Sequence, residues 1–318
     1  MLALVFDGKV SLRDDYPEPK PKAGEALVAV RMAGICRTDL EILKGYMDFR
    51  GVMGHEFVGM VLKGPRAWAG KRVVAEINCI CGQCDMCTSG LANHCRHRTV
   101  LGIAGRDGVF AERVCIPARN LHEVPPGVED VSAVFAEPLA AAFQVVRQVR
   151  FDRSDKVVVI GDGRLGQLVA RVLKLAVHRP LLVGRHEGKL EAAEKQGIET
   201  ALADRFVPAA QADVVIDASG SASGFDLAMR TVRPRGTIVL KSTFAAAAGT
   251  LNLAPVVINE VNVIGSRCGP FPDALKALAA GQVDVSALVS RRYPLRDAMA
   301  ALDAAADPQN IKVVIDVQ

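Results

Sequence analysis

A glycine-rich turn between a predicted strand and a predicted helix constrains the fold of this chain more than any other feature. The segment KVVVIGDGRLGQLVARVLKL begins at Lys156 with an apolar run, continues with Gly161-x-Gly163-x-x-Gly166, and ends with apolar residues at helical spacing. Alone, the glycine pattern is a weak signal. Between a strand and a helix, however, it gives a tight turn whose backbone N–H groups face a pyrophosphate. We therefore predict a dinucleotide-binding unit here.

Further apolar segments follow this unit at regular intervals. They are the stretches PLLVG, ADVVIDAS, GTIVLKS and VNVIGS, and helix-like segments at 187–196 and 223–232 separate some of them. Parallel strands that alternate with helices are typical of a doubly wound Rossmann sheet. The alternative is a glycine-rich turn in another α/β fold, which accounts less well for the repeated alternation.

The residues after the second predicted strand indicate which dinucleotide binds. About 20 residues past the glycines, an Asp or Glu normally binds the ribose 2′-hydroxyl of NAD, whereas a nearby Arg accommodates the 2′-phosphate of NADP. Here Gly184 replaces the carboxylate, and Arg185 and His186 follow it, with Glu187 as an opposing charge. The pattern favours NADP. The alternative is that these charges are solvated and that NAD binds through other contacts.

Four of the eight cysteines lie close together in the stretch CGQCDMCTSGLANHC. Cys81, Cys84, Cys87 and Cys95 have the spacing C-x2-C-x2-C-x7-C, which lets four thiolates surround one zinc ion as a tetrahedron. The alternatives are disulfides, a C-x-x-C redox pair or an iron–sulfur cluster, but a redox pair usually opens a helix and this stretch has loop residues. We expect a structural zinc site, with Cys79 outside it.

A second set of possible metal ligands is scattered along the chain. Gly34 lies two residues before Cys36, Gly54 directly precedes the pair His55–Glu56, and Asp39 lies close enough to Cys36 to orient a ligating imidazole. A third candidate is Glu137, a charge inside the apolar segment VFAEPLAAAFQVV, where an isolated buried carboxylate would be costly without a cation. The alternatives are a buried cysteine, a satisfied histidine and an exposed carboxylate at a helix N-terminus.

Length and composition exclude several classes of protein. A chain of 318 residues favours two domains, and its net charge of +4 is not gathered into a basic arm, so no nucleic-acid partner is expected. No apolar run approaches the roughly 20 residues that span a bilayer, so no membrane partner is expected either. The N-terminal stretch lacks the features of a signal peptide, and we expect a cytoplasmic location with reduced thiols.

Taken together, these motifs resemble the zinc-dependent medium-chain alcohol dehydrogenase family over essentially the whole chain. The resemblance rests on the order of Cys36, the stretch GHE that contains His55, the four-cysteine segment, the stretch EPLA that begins at Glu137, and the glycine motif. The stretches GHE and AEPLA are similar to those of the sorbitol and threonine dehydrogenase branch.

The resemblance implies roles for individual residues. A catalytic zinc would be held by Cys36, His55 and either Glu56 or Glu137. Thr38 would carry the proton of the substrate hydroxyl, although Glu41 stands where the family often continues the proton relay with a histidine. A segment containing Arg267 resembles one that contacts cofactor or substrate. The cofactor-binding residues expected from pattern and resemblance together are Gly161, Gly163, Arg164, Leu165, Gly166, Gly184, Arg185, His186, Ser219 and Arg267.

The resemblance also implies the fold class and domain plan. We expect an α/β protein with a GroES-like, β-rich catalytic domain at 1–140, a Rossmann domain at 141–266, and a return to the catalytic domain at 267–318. Two zinc ions per chain are then expected, one catalytic and one structural, and the residues after the second strand favour NADP over NAD. A homodimer or homotetramer is also expected, with the late strands of the Rossmann domain pairing across a two-fold axis.

Two rival functions follow from the same residues. One is a zinc-free reductase of the quinone oxidoreductase type, against which both sets of metal ligands argue. The other is a non-catalytic protein that binds NADP(H) and zinc in a structural or sensing role, which the fold cannot exclude. The retained Thr38 and both carboxylates favour an enzyme that exchanges a hydride between an alcohol, such as a polyol or amino alcohol, and the nicotinamide. Lys241, at the end of an apolar strand, points either to the cofactor or to solvent.

Overall fold

The computed structural model describes residues 1–177, 179–243 and 252–317. They divide into two compact units, Met1–Glu137 with Phe271–Gln318, and Pro138–Pro270. In the described ranges, helices fall short of the length and apolar character needed to cross a bilayer.

The N-terminal part of the first unit is rich in strands. Its strands are β1 (Ala3–Phe6), β2 (Val10–Arg13), β3 (Glu25–Gly34), β4 (Gly51–Val52), β5 (Glu56–Lys63), β6 (Arg72–Ala75), β7 (Asn78–Cys79), β8 (Thr99–Leu101), β9 (Gly105–Arg106), β10 (Arg113–Pro117) and β11 (Leu121–Glu123). Its short helices are α1 (Arg37–Ile42), α2 (Asp85–Thr88) and α3 (Asp130–Ala133).

The second unit alternates helices and strands. In chain order its elements are α4 (Ala136–Gln148, which begins in the first unit), β12 (Val157–Ile160), α5 (Arg164–Ala176), β13 (Leu181–Gly184), α6 (Glu187–Glu194), β14 (Glu199–Leu202), β15 (Ala212–Asp217), α7 (Ala222–Thr231), β16 (Val232–Leu240), α8 (Ala254–Ile258) and β17 (Asn262–Gly265). Helix α6 falls within the helical stretch expected at 187–196, and α7 begins one residue before the stretch expected at 223–232.

The C-terminal segment returns to the first unit. It contains α9 (Phe271–Ala279), β18 (Val289–Pro294), α10 (Ala298–Ala306) and β19 (Lys312–Asp316). The main sheet of the first unit has the order β11-β6-β5-β3-β19-β18, with β10 also paired to β3. The long apolar strand β3 therefore lies at the centre of this sheet, between a strand that follows it closely and one from the end of the chain.

The sheet of the second unit is parallel throughout its described strands, in the order β14-β13-β12-β15-β16-β17. The chain runs outward from β12 to one edge and then returns to the other side at β15. The four residues of β12 are all buried, as expected of a central strand covered on both faces. Such a reversal of strand order is where open α/β sheets bind ligands, at the carboxyl ends of the strands. The predicted Rossmann sheet is confirmed.

Candidate metal centres and nucleotide-binding loop

The pairing of β3 with β5 brings three metal-ligand types together in the first unit. Their antiparallel register places Gly34 opposite Glu56. Cys36, two residues past the end of β3, therefore lies near His55, which immediately precedes β5. One ligand atom from each of Cys36, His55 and Glu56 lies within 4.8 Å of the others. The sheet register thus assembles a group of side chains that the sequence only suggested.

The carboxylate of Asp39 contacts two members of this group, Cys36 and His55. Its Oδ2 accepts the backbone N–H of Cys36 at 2.7 Å, and its Oδ1 lies 3.3 Å from His55 Nδ1. The contact with Nδ1 leaves Nε2 of His55 as the nitrogen available to a metal. Burial alone would lower the pKa of His55, but the negative charges of Asp39 and Cys36 outweigh it and raise that pKa well above its usual value. The group therefore has a strong attraction for a cation.

Lys312 is a member of this cluster that sequence reasoning missed. It opens β19, is only 1% exposed, and forms an ion pair with Glu56 Oε2. Its Nζ also donates to Ile35 O at 3.2 Å and lies 5.7 Å from the ring centroid of Phe135. Gly34 makes room for it, because a Cβ there would collide with the ammonium group. Burial lowers the pKa of Lys312 to about 8, although the charges of Cys36 and Asp39 oppose this.

The chemistry of the cluster fits a divalent metal. The carboxylates of Asp39 and Glu56 are buried and the Cys36 thiol is partly buried, and the ammonium group of Lys312 lies beside Glu56. Buried carboxylates are costly unless cations or hydrogen-bond donors lie beside them. A thiolate, an imidazole and a carboxylate are also the ligand types that zinc takes in catalytic sites that keep one position open. These residues therefore fit a zinc ion.

The other candidate catalytic residues lie at different distances from this group. Thr38 Oγ1 is 3.7 Å from the Cys36 sulfur and is partly buried. Glu137, in the first turn of α4, is not one of the three side chains that come together. Glu41, which stands where a relay histidine is often found, pairs with Arg37 and Lys44 at 3.1 Å each.

The four clustered cysteines form a separate group at the loop between β7 and β8. The sulfur of Cys84 is 3.5 Å from that of Cys87 and 3.8 Å from that of Cys95, and Cys81 Sγ lies 3.5 Å from Cys95 Sγ. A zinc ion with bonds of about 2.3 Å to four sulfurs separates them by ~3.8 Å. All four thiols are free, so the disulfide alternative is not supported. Cys79 is buried outside the group.

Local backbone groups prepare these thiols to bind a cation. The N–H groups of Cys81 and His97 donate to the sulfur of Cys95 at 3.3 and 3.4 Å. Hydrogen bonds from backbone N–H groups, led by that of Arg96, lower the pKa of Cys84 to about 6. Such donors stabilise thiolates, which are the form that binds zinc.

The glycine motif forms a close turn at the end of β12. Gly161 has a φ of +113°, and a Cβ there would lie 2.8 Å from the carbonyl of Ala218. A Cβ at Gly166 would collide with the carbonyl oxygen of Gly161, so α5 packs directly against the turn. In contrast, a Cβ at Gly163 would have nothing within 4 Å. The turn is therefore tight on the protein side and open on the other, as a bound pyrophosphate requires.

The glycine turn contains a second residue that the sequence did not single out, and it contacts the segment just after β13. Asp162, the middle residue of the turn, is 6% exposed, and its Oδ2 accepts the N–H groups of Arg185 and His186 at 2.6 and 2.7 Å. A Cβ at Gly184 would lie 2.5 Å from the same oxygen. Arg185 itself is exposed.

The remaining candidate cofactor residues lie at or beyond the ends of neighbouring strands. Ser219 follows β15, and its N–H donates to Asp217 Oδ1 at 2.9 Å. Lys241 points neither to solvent nor into open space: it is buried, and its Nζ donates to Ser266 Oγ at 3.1 Å and to the carbonyl of Arg267. The side chain of Arg267 is exposed. Arg164 and Leu165, partly buried, begin α5.

Comparison with known proteins gives the family. Residues 22–126 match the alcohol dehydrogenase GroES-like domain, and residues 165–281 match the zinc-binding dehydrogenase domain. A sorbitol dehydrogenase from Halalkalibacterium halodurans is 30% identical, over 95% of this chain and 94% of that protein. An L-threonine 3-dehydrogenase from Streptomyces avermitilis is 32% identical, also over 95% and 94%. The chain belongs to the zinc-dependent medium-chain alcohol dehydrogenase family.

Solved structures show the same fold. A protein from Sinorhizobium meliloti, described as a zinc-binding dehydrogenase and solved with NADP, is 27% identical, with a TM-score of 0.90 over 99% of both chains. The RspB alcohol dehydrogenase of Escherichia coli, solved with NADH, is 27% identical, with a TM-score of 0.89 over 100% of this chain and 99% of that one. The expected fold, a GroES-like domain with a Rossmann domain, is confirmed, and the protein is an alcohol oxidoreductase.

Proposed function

We propose that this chain reversibly oxidises a primary or secondary alcohol of the polyol or amino-alcohol class, with NADP(H) as hydride carrier and with zinc at Cys36, His55 and Glu56. The observation that carries the proposal is the grouping of Cys36, His55 and Glu56, whose ligand atoms lie within 4.8 Å of one another and are of the types that zinc takes in catalytic sites. The substrate class is supported by the two relatives named for a polyol and for a hydroxy amino acid.

Zinc and the nicotinamide cofactor would each supply a chemistry that does not depend on this particular chain. A zinc ion held by these ligands would supply Lewis-acid polarisation of the substrate oxygen, and a bound nicotinamide cofactor would supply the hydride chemistry. The protein must still remove the hydroxyl proton and hold the ligands in place. Thr38 Oγ1, 3.7 Å from the Cys36 sulfur, is placed to relay that proton: it would accept the proton while its own hydroxyl proton passes to water. Asp39 fixes the ring of His55, and Lys312 holds Glu56 at one carboxylate oxygen.

Glu56 rather than Glu137 is proposed as the carboxylate ligand. The register of β3 and β5 places Glu56 beside Cys36 and His55, whereas Glu137 belongs to the first turn of α4 and lies outside the group. A second zinc ion is proposed at the four cysteines, where sulfur separations of 3.5–4.0 Å suit a closed tetrahedron. Its role is structural, because all four positions would be filled by protein.

The preference for NADP rests on the loop after β13. Gly184 provides no carboxylate to repel a 2′-phosphate, and the exposed Arg185 and partly buried His186 follow it directly. The relative solved with NADP supports this choice, while the relative solved with NADH shows that the fold accepts either nucleotide. Gly161, Gly163 and Gly166 would face the pyrophosphate.

A homo-oligomer is proposed through the edge of the Rossmann sheet. Strand β17 is largely exposed, with Val263 40% exposed, and the preceding helix α8 exposes Val257 and Ile258 at 77% and 76%. An exposed apolar edge strand invites pairing with a second copy. Light scattering should give at least a dimer mass, and Val263→Lys should reduce it to that of a monomer. A monomer mass for the wild type would remove the proposal.

The test of the enzymatic proposal is turnover by metal-loaded protein. Purified protein is assayed with NADP⁺ and NAD⁺ against a panel of polyols and amino alcohols, before and after treatment with a chelator. We expect turnover of at least one panel member, faster with NADP⁺, which is lost with the metal and restored by zinc. Turnover that survives complete metal removal would contradict the proposal.

A further inference from the structure

The turn that contains the glycine motif includes a buried carboxylate that pyrophosphate binding does not require. Asp162 lies between Gly161 and Gly163 and is 6% exposed. A buried carboxylate is costly unless hydrogen bonds compensate for lost hydration. The hydrogen-bond partners of Asp162 therefore indicate its role.

The carboxylate of Asp162 hydrogen-bonds to one short segment. Oδ2 accepts the backbone N–H groups of Arg185 and His186 at 2.6 and 2.7 Å. His186 Nδ1 lies 3.1 Å from Oδ1 and 3.0 Å from Oδ2. Hydrogen bonds to an ionised acceptor are short and strong, so these contacts fix the backbone at the start of α6. Asp162 thus joins the glycine turn to the segment that follows β13.

Gly184 leaves the space that the carboxylate of Asp162 occupies. A Cβ at position 184 would lie 2.5 Å from Asp162 Oδ2, so any side chain there would displace Asp162. In Rossmann proteins that bind NAD, the residue at this point of the second strand provides the carboxylate for the ribose 2′-hydroxyl. Here the carboxylate comes from the glycine turn, and its oxygens are directed at the backbone.

A second contact holds the far end of the same segment. Gln167, fully buried on α5, donates from Nε2 to the carbonyl of Lys189 at 2.6 Å. The segment from Arg185 to Lys189 is therefore fastened at both ends to the glycine turn and its helix. Between these points the Arg185 side chain is exposed to solvent.

We propose that Asp162 is a positioning residue for cofactor specificity: it holds Arg185 and His186 where they recognise the 2′-phosphate of NADP(H), and does not itself bind the ribose. This inference rests on the NADP preference proposed above. The competing interpretation is that Asp162 replaces the missing carboxylate at position 184 and accepts a ribose hydroxyl, which would favour NAD. The two interpretations predict opposite effects of removing the carboxylate.

The experiment measures binding of two adenosine fragments, 2′,5′-ADP and 5′-AMP, to the full chain by isothermal titration calorimetry. Neither fragment contains nicotinamide, so the result is independent of turnover and of the zinc site. The wild type should bind 2′,5′-ADP more tightly. Asp162→Ala should weaken 2′,5′-ADP binding about tenfold and change 5′-AMP binding by less than about twofold.

Three further variants separate positioning from general damage. Asp162→Asn should retain most of the 2′,5′-ADP affinity, because its amide oxygen can accept the same two N–H groups. Gly184→Ala should behave like Asp162→Ala, since its Cβ displaces the carboxylate. Arg185→Ala should lose 2′,5′-ADP affinity with an unchanged melting temperature, as expected of an exposed residue that contacts the phosphate.

The outcomes are distinct. A wild type that prefers 5′-AMP would overturn both the NADP preference and this inference. A wild type that prefers 2′,5′-ADP, with the same preference in Asp162→Ala, would overturn the inference alone. So would weaker 5′-AMP binding with 2′,5′-ADP binding preserved, which is the result expected of a ribose-binding carboxylate. If Asp162→Ala does not fold, loss of the preference in the folded Asp162→Asn would likewise overturn the inference.

Discussion

Two groups of metal-ligating side chains lie in the same unit, and they are built in opposite ways. The four cysteines come from a single loop between Cys81 and Cys95 and are mostly only half-buried. The group of Cys36, His55 and Glu56 comes from two strands, is largely buried, and includes the ammonium group of Lys312 from the end of the chain.

This difference explains why the two groups suit different tasks. Local spacing alone is enough to close four thiolates around a metal, and a closed site offers no position to a substrate. The other group has three ligands and surrounding residues that adjust their charge and orientation, namely Asp39 and Lys312. A site that must bind metal and also release or exchange a ligand needs such neighbours.

The largest effect is expected from removing a ligand of the buried group. Cys36→Ser should lower kcat/KM by at least about 10³, because a weakened metal site loses the polarisation of the substrate oxygen. Steady-state kinetics with NADP⁺ and the best alcohol of the panel measure this. Cys115→Ser is the matched control, since Cys115 belongs to neither group, and its activity should stay near that of the wild type. Equal losses in both variants would refute the distinction.

A large loss of stability is expected from Lys312→Met. The substitution leaves Glu56 buried without its cation, which should lower the free energy of unfolding of metal-free protein by about 3 kcal/mol. Urea denaturation in the presence of a chelator measures it. The double variant Lys312→Met/Glu56→Gln should recover most of the loss, because no unpaired charge remains. If the double variant is as unstable as the single one, the ion pair is not the reason.

A smaller effect on stability and little effect on chemistry are expected at the four cysteines. Cys84→Ser should remove the loop's metal and lower the melting temperature by about 5 °C, because the loop is then no longer cross-linked. Differential scanning calorimetry gives the shift, and kcat/KM below that temperature should fall far less than in Cys36→Ser. If Cys84→Ser instead abolished activity without changing the melting temperature, the catalytic role would belong to the four cysteines, and the assignment made here would be wrong.

The smallest effect is expected at Glu25, which belongs to neither group of metal ligands and affects the stability of the fold in acid. Burial alone would raise the pKa of Glu25, but the N–H of Lys22 and the guanidinium of Arg106, 2.8 Å away, lower it overall. Because the folded pKa lies below the unfolded one, the carboxylate stabilises the fold above the unfolded pKa and ceases to do so as pH falls through the folded pKa.

Glu25→Gln should therefore cost less than about 1 kcal/mol near neutral pH, and its stability should converge with that of the wild type in acid. Chemical denaturation across this pH range checks the sign. A difference that grows as pH falls would contradict the assignment. Comparing Glu25→Gln with the wild type also distinguishes the loss of fold stability at low pH that is due to Glu25 from any loss that is due to protonation of the metal ligands.

The sequence predicted the features that depend on local pattern. The glycine motif between strand and helix, followed by alternating strands and helices, indicated the Rossmann sheet. The spacing of Cys81 to Cys95 indicated four convergent thiols, and the structure brings them together. The Rossmann prediction succeeded because each strand and the helix after it are neighbours in the chain, whereas zinc at the four cysteines stays a prediction.

Features that depend on strand register could not be predicted from the sequence. Lys312 meets Glu56 across 256 residues of chain, through the pairing of β19 with β3, and a lysine at the start of a strand is usually exposed. The register of β3 and β5 likewise brings Glu56 close to Cys36 and His55. The contact of Asp162 with the end of β13 depends on how closely the glycine turn approaches that strand.

The most direct test of the account is a zinc count per chain, by mass spectrometry of metals, on the wild type and on the double variant Cys36→Ser/His55→Gln. The account predicts about two zinc ions for the wild type and about one for the variant, which remains folded and is inactive. Two zinc ions in the variant, or full activity in a wild type that holds only the zinc of the four cysteines, would contradict it.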